Sequence, residues 1–175
     1  MKTWNIDSAH SEIGFKVKHL MISNVRGKFN SFKGSIEMED EDFTKAVISF
    51  SADTASINTE NDMRDKHLQS PDFFDSASFP TLSFKSKSIT KRSDNKFEVT
   101  GELNMHGITK EIILDTTLNG TITGMDGAKM MGFEILGSLS RKDFGLTWNA
   151  PIEQGGVVVS DEVKLEINTE FKEVK

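Results

Sequence analysis

The sequence predicts an all-β protein, an extended antiparallel barrel of eight or nine strands with one helix between the fourth and fifth. Three observations lead there. Apolar residues recur at every second position over most of the 175 residues, which is the period of a strand with two unlike faces. Turn-forming clusters separate these runs without intervening helices, the pattern of hairpins rather than of βαβ units. Several runs reach ten residues or more, longer than a sandwich of short strands uses. Residues 1–175 read as a single domain.

The elements follow in order. Trp4 and Ile6 open a short first strand, and Ile13, Phe15, Val17 and His19 share one face of the second. The stretch "NVRG" is read as a turn. Phe29, Phe32, Ile36 and Met38 mark a long strand whose parity shifts between 29 and 32, as a bulge does. Acidic "EDED" interrupts the pattern, and Ala46, Ile48, Phe50 and Ala52 resume it. "NTENDMRDKHLQS" is the one helical stretch, capped by Asn58 or Thr59 and stopped by Pro71. "PDFFDSASFP" reads as an ordered loop, and together with the helix it is expected to cover the barrel. Leu82 and Phe84 then share a face with Ser86 and Ser88. Phe97, Val99, Gly101, Leu103 and Met105 form the next strand, and "HG" at 106–107 is a tight turn. Ile112, Leu114 and Leu118 follow. Met131, Phe133, Ile135, Gly137, Leu139 and Arg141 share the face after that. A long connection leads to Val163, Leu165, Ile167 and Phe171.

Composition narrows the function. There is no cysteine, which removes disulfides, thiolate metal sites and cysteine nucleophiles. A net charge of −6 disfavours nucleic acid, which is bound through clustered Lys and Arg. No apolar run follows Lys2, and none approaches the ~18 residues of a membrane helix. The expectation is a cytoplasmic protein that does not span a membrane, or a periplasmic one if a leader has been removed. The 13 Phe and absent Tyr suit an apolar interior, because a buried Tyr hydroxyl wants a partner.

Period 2 alone does not say which face is inside. An outer-membrane barrel is apolar outside. Here the polar faces carry Lys16, Lys18, Lys85, Lys87, Glu98 and Glu102, so the apolar face is read as the interior. Small residues on that face, Gly101, Gly137, Ala46, Ala52, Ser86 and Ser88, either leave a void or interlock with large neighbours. Strands of ~12 residues tilted by ~40° make a barrel roughly 30 Å tall, comparable with the hydrocarbon thickness of a bilayer. A long apolar tail is the natural guest. It would touch Phe15, Val17, Phe50, Phe84, Val99, Met105, Leu114, Phe133, Ile135 and Leu165.

Chemistry-bearing residues are sparse. His10, His19, His67 and His106 show no metal-ligand spacing, and there is no nucleophile elbow or phosphate loop. No catalytic residue, metal or cofactor is expected. Asp7 with His10 and Asp65 with His67 read as turn or cap hydrogen bonds. His19 and Arg141 each continue an inward apolar row by one step, to an end of the tube. There they either orient an amphiphile's head group, Arg141 through paired N–H donors, or brace a loop.

Five blocks, "IDSAHSEIGFKVKHLMISNVRGKF", "RDKHLQSPDFFDSASFPTLSF", "LNMHGITKEIIL", "SRKDFGLTWN" and "VSDEVKLEINTEF", resemble the YceI-like family of lipid-binding proteins, in the family's order and nearly end to end. The resemblance implies a lipocalin-like barrel that holds a polyisoprenoid or other long-chain amphiphile without established catalysis. The expected partner is therefore a long-chain lipid or isoprenoid, carried by a monomer or homodimer. The alternative is an enzyme acting on an isoprenoid or acyl substrate held in the barrel.

Overall fold

The computed structural model describes residues 1–152 and 155–175. Its strands are β1 (Lys2–Ile6), β2 (Glu12–His19), β3 (Ser23–Phe29), β4 (Phe32–Met38), β5 (Val47–Asp53), β6 (Ile57–Asn58), β7 (Thr81–Lys91), β8 (Lys96–Met105), β9 (Ile108–Thr123), β10 (Lys129–Ser140) and β11 (Val159–Glu173). One helix, α1 (Asp62–Gln69), lies between β6 and β7. All strand pairs are antiparallel, and the sheet closes as β1-β4-β5-β7-β8-β9-β10-β11 with β11 returning to β1. The predicted eight-stave barrel is thus present, with the helix between the expected runs. The two-residue β6 was not anticipated.

Three neighbouring staves break at one level. β1 and β2 both pair with β11 and form one stave, interrupted by a 3-10 turn at Ser8–His10. Asp7 stabilises that turn by accepting a hydrogen bond from the Ala9 amide, 3.0 Å away. β3 and β4 form the next stave, broken at Asn30 and Ser31, where the alternation shifted parity. There the Ser31 amide donates to Ser56 Oγ (3.0 Å) and its hydroxyl to Asp53 (2.7 Å). β5 and β6 form the third, broken by the turn at Thr54–Ser56.

The two-residue turn at His106 and Gly107 is present, with both φ angles positive (57° and 75°). Two local readings are corrected. "NVRG" lies inside β3, and the chain reverses at Leu20–Ile22 instead. Ser88 faces out, because a bulge between Ser86 and Ser88 hands the inward position to Ile89.

The two ends of the barrel differ. At the end reached by β1 and the close of β11, the segment before β5 makes a 3-10 turn capped by Asp42. This drives Phe43 into the lumen, where its ring centroid lies 5.0 Å from that of Phe97 and 5.1 Å from that of Phe133. Trp4, Ile36, Met38, Met131 and Phe171 complete this closed end, all buried. At the other end α1 and the loop to Pro80 lie across the opening. Asn61, not Asn58 or Thr59 as expected, caps α1, because its side chain is the one that reaches the Arg64 amide, and Arg64 ties the helix down by donating to Thr59 Oγ1 (2.8 Å) and Thr59 O (2.6 Å).

Candidate functional site: an apolar cavity under a lid

The interior encloses a cavity of about 230 Å³. On β11 its wall runs from Val159 to Phe171, and facing staves contribute Phe15, Val17, Ile48, Phe50, Ile112, Ile135 and Leu139. Leu68, Phe73 and Phe74 of the lid close it above. Among the described residues the polar side chains in this lining are Ser49, Thr116, Thr169 and Arg141. Many inward apolar side chains remain half-exposed, among them Phe15, Val17, Phe50, Ile135 and Leu165. An inward residue with open surface is what a void produces; close packing would bury it.

Of the residues singled out from sequence, Phe15, Val17, Phe50, Phe84, Val99, Met105, Leu114, Phe133, Ile135, Arg141 and Leu165 all line the cavity. His19 does not. It is half-buried at the end of β2, paired in register with Val159. Its side chain makes no hydrogen bond among the described residues.

Of the two readings of Arg141, a head-group donor at a wet mouth and a loop brace, the structure shows the brace, for the residue is only 3% exposed. Its Nε donates to Ser160 O (2.9 Å), Nη1 to Leu146 O (2.6 Å) and Trp148 O (2.8 Å), and Nη2 to Val159 O (3.3 Å). Asp161 adds a looser contact at 3.8 Å. Burial pushes the guanidinium's pKa down from its ordinary value, and Asp161 works against that. The carbonyls stand in for water, so the charge is tolerated where an unpartnered one is not. Arg141 pins Leu146, Trp148, Val159 and Ser160 to the end of β10.

At Gly101 the interlocking reading holds, not the void. A Cβ there would sit 2.4 Å from the Phe84 ring and 2.5 Å from the Lys85 carbonyl. The Phe15 ring covers Gly27 in the same way, and Phe50 lies against Gly34. Rings fill the glycine gaps across the strands, and the void lies along the axis instead.

The histidines other than His19 have structural partners. His10 Nδ1 lies 2.8 Å from Asp7, His67 Nε2 lies 2.9 Å from Asp72 rather than Asp65, and His106 Nδ1 donates to Phe144 O (3.0 Å). His67 also packs edge-on against Phe73 and Trp148, with centroids 5.1 and 4.8 Å away, which locks α1 to Trp148 in the segment after β10. Outside the barrel, Asp7, His10 and Glu170 bring ligand-type atoms within 4.8 Å of one another. The Asp7–His10 bond accounts for that grouping. It holds the Asp7 carboxyl below its ordinary pKa and raises that of His10.

Known proteins share both sequence and architecture. The sequence profile of the YceI-like domain matches residues 4–171. A UPF0312 protein of Staphylococcus aureus (strain bovine RF122 / ET3-1), SAB2563, is 38% identical over 172 residues, 98% of each chain. The crystal structure of the Campylobacter jejuni YCEI protein superposes with a TM-score of 0.78 at 36% identity, covering 97% of this chain and 96% of that one. A polyisoprenoid binding domain from Saccharophagus degradans shares the fold, with a TM-score of 0.65 at 15% identity over 96% and 97% of the two chains. With the profile spanning almost every strand of the barrel and a relative this similar along its full length, the chain belongs to the YceI-like family.

Proposed function

We propose that the protein binds one long-chain amphiphile, a polyisoprenoid or fatty-acid-like lipid, with its tail threaded along the barrel, for transport, storage or sequestration. The observation that carries this is the lining: Val159, Val163, Leu165, Ile167 and Phe171 of β11, with Thr169 their one polar neighbour, faced by half-exposed aliphatic and aromatic side chains. The rings of Phe43, Phe97 and Phe133 close one end of the space, and its volume of about 230 Å³ suits one chain and not several. Each Å² of tail removed from water contributes about 25 cal/mol. The polyisoprenoid-binding relative supports the ligand class.

Binding without turnover is the reading we favour. An enzyme needs a convergent acid or base near the reacting carbon, whereas the lining offers three hydroxyls and an arginine already engaged by backbone carbonyls.

The test is to extract the purified protein with organic solvent and identify what is released by mass spectrometry. A long-chain lipid near one equivalent, recovered chemically unchanged after incubation, is expected. A protein that releases no lipid and takes up no added long-chain alcohol contradicts the reading.

A further inference from the structure

The β2–β3 hairpin has a composition unlike the rest of the chain. Between Glu12 and Glu37 there is no acidic residue, yet Lys16, Lys18, Arg26, Lys28 and Lys33 fall in that interval of a protein with net charge −6. The strand register places Lys16 opposite Arg26 and Lys18 opposite Asn24 on the outer face, with Lys28 beside Gly14. Glu166 of β11 takes both Lys16 and Arg26. Lys18, Lys28 and the adjoining Lys164 of β11 have no acidic partner among the described residues. Of the acidic groups elsewhere at this end, Asp65 is engaged by Thr59, Asp72 by His67 and Asp161 by Lys142, while the exposed Glu60, Asp62, Asp143 and Glu162 form no ion pair with these lysines among the described residues.

The tip of the hairpin is apolar. Met21 is 53% exposed and Ile22 is 86% exposed. Leu20 and Met21 both hold positive φ (53° and 65°), a left-handed backbone that favours Gly and Asn. Folding therefore strains two ordinary residues in a turn that presents bare hydrocarbon to solvent. The neighbouring connection adds to it, since Met21 and Ile152 both approach Gly156. This tip adjoins the cavity: the Leu20 amide donates to Val158 O (2.9 Å), and Val159 and Val17 belong to the cavity wall.

We propose that this hairpin docks the protein on an anionic lipid bilayer, with Met21 and Ile22 entering the interface and the lysines meeting the head groups. An apolar wedge with a basic flank is the pairing of signals that gives reversible attachment to a membrane surface. Docking sets the rim of the cavity against the bilayer, so that a tail passes between them with little exposure to water. The role in lipid exchange rests on the proposed function; the docking itself does not.

The experiment is sedimentation with vesicles of phosphatidylglycerol and phosphatidylcholine, and with phosphatidylcholine alone, using the full chain. Wild type should partition to the anionic vesicles at least about tenfold more strongly, and less so as salt rises. Ile22→Asp should lower that partition by about tenfold or more, and Lys18→Glu with Lys28→Glu by at least as much. Ile122→Asp, at the opposite end where Ile122 is 63% exposed, should bind as wild type does. Ile22 and Lys18 are exposed and Lys28 is half-buried on the outer face, none of them borders the cavity, and both hairpin variants should keep the wild-type content of extractable lipid. No preference for anionic vesicles, or equal loss in the Ile122 variant, overturns the proposal. So does an apolar tip that serves only self-association, seen as dimers that Ile22→Asp dissociates without any vesicle binding. Vesicle binding by a protein with an empty cavity would overturn the proposed function and leave the docking intact.

Discussion

The two ends of this barrel obey the same alternation and end in opposite states. At the closed end Trp4, Phe43, Phe97, Phe133 and Phe171 are each 7% exposed or less. At the lidded end Val17, Leu68, Phe74, Leu139 and Leu165 point inward and stay half-exposed. The difference lies in what is laid across each opening. A short turn at Phe43–Lys45 inserts one aromatic ring between two others. The other opening is spanned by a polar helix and two connections whose apolar groups, Leu68, Phe73, Phe74 and Leu146 among them, border the void instead of filling it. A tightly filled floor fixes the staves, and a thinly covered top leaves room for a guest.

That contrast is broken most easily by deleting one ring at each end. Phe43→Ala should cost about 3–5 kcal/mol in denaturant unfolding, the usual range for a packed phenylalanine. Phe74→Ala should cost roughly 1 kcal/mol, because it already borders a void. Equal losses would mean that both ends are equally packed.

Arg141→Met comes next. It leaves buried carbonyls without their donor and should cost about 2–4 kcal/mol. Affinity for a long-chain acid and for the matching alcohol should fall together. Selective loss of the acid would restore a head-group role to Arg141.

Gly101→Ala should destabilise by about 1–3 kcal/mol through overpacking against Phe84 and the Lys85 carbonyl, while ligand binding persists. Gly137→Ala should be milder, since the closest atom to an added Cβ is the tip of Leu114, 2.9 Å away.

The smallest effect concerns the Asp7–His10 pair at the break in the first stave. His10 has a raised pKa, so its contribution is complete below its ordinary 6.5 and is lost as pH climbs through the raised value. Asp7 has a lowered pKa, so its contribution is present above 3.8 and is lost as pH falls through the lowered value. His10→Ala should therefore lower Tm slightly between about pH 4 and 6.5 and not at pH 9. A Tm difference that is constant with pH would remove the ion pair from the account.

Much of this was legible in the chain. Side-chain parity on β2, β10 and β11 identifies the inward rows, because period 2 is a local property of a strand. The break at Asn30 and Ser31 showed as a parity slip, and the turn at His106 and Gly107 as a His-Gly pair between two alternating runs. What escaped depends on contacts distant in sequence. Phe84 fills the gap at Gly101 only because of the β7–β8 register. Arg141 is satisfied by carbonyls up to 19 residues away, which no motif announces. The reversal at Leu20–Ile22 was missed because its residues are apolar, and turn signals are read from Gly, Asn and Asp.

The central claim is that the void beneath the lid holds a single long chain, and filling it is the direct test. Leu165 borders the cavity and faces Gly137, so Leu165→Trp has room to place its indole across the tube. Affinity for a long-chain alcohol should be measured by calorimetry on this variant and on Val17→Trp, once unfolding curves show that both are folded. The account predicts at least about a tenfold loss in each, with little change in stability. Wild-type affinity in both folded variants would contradict it.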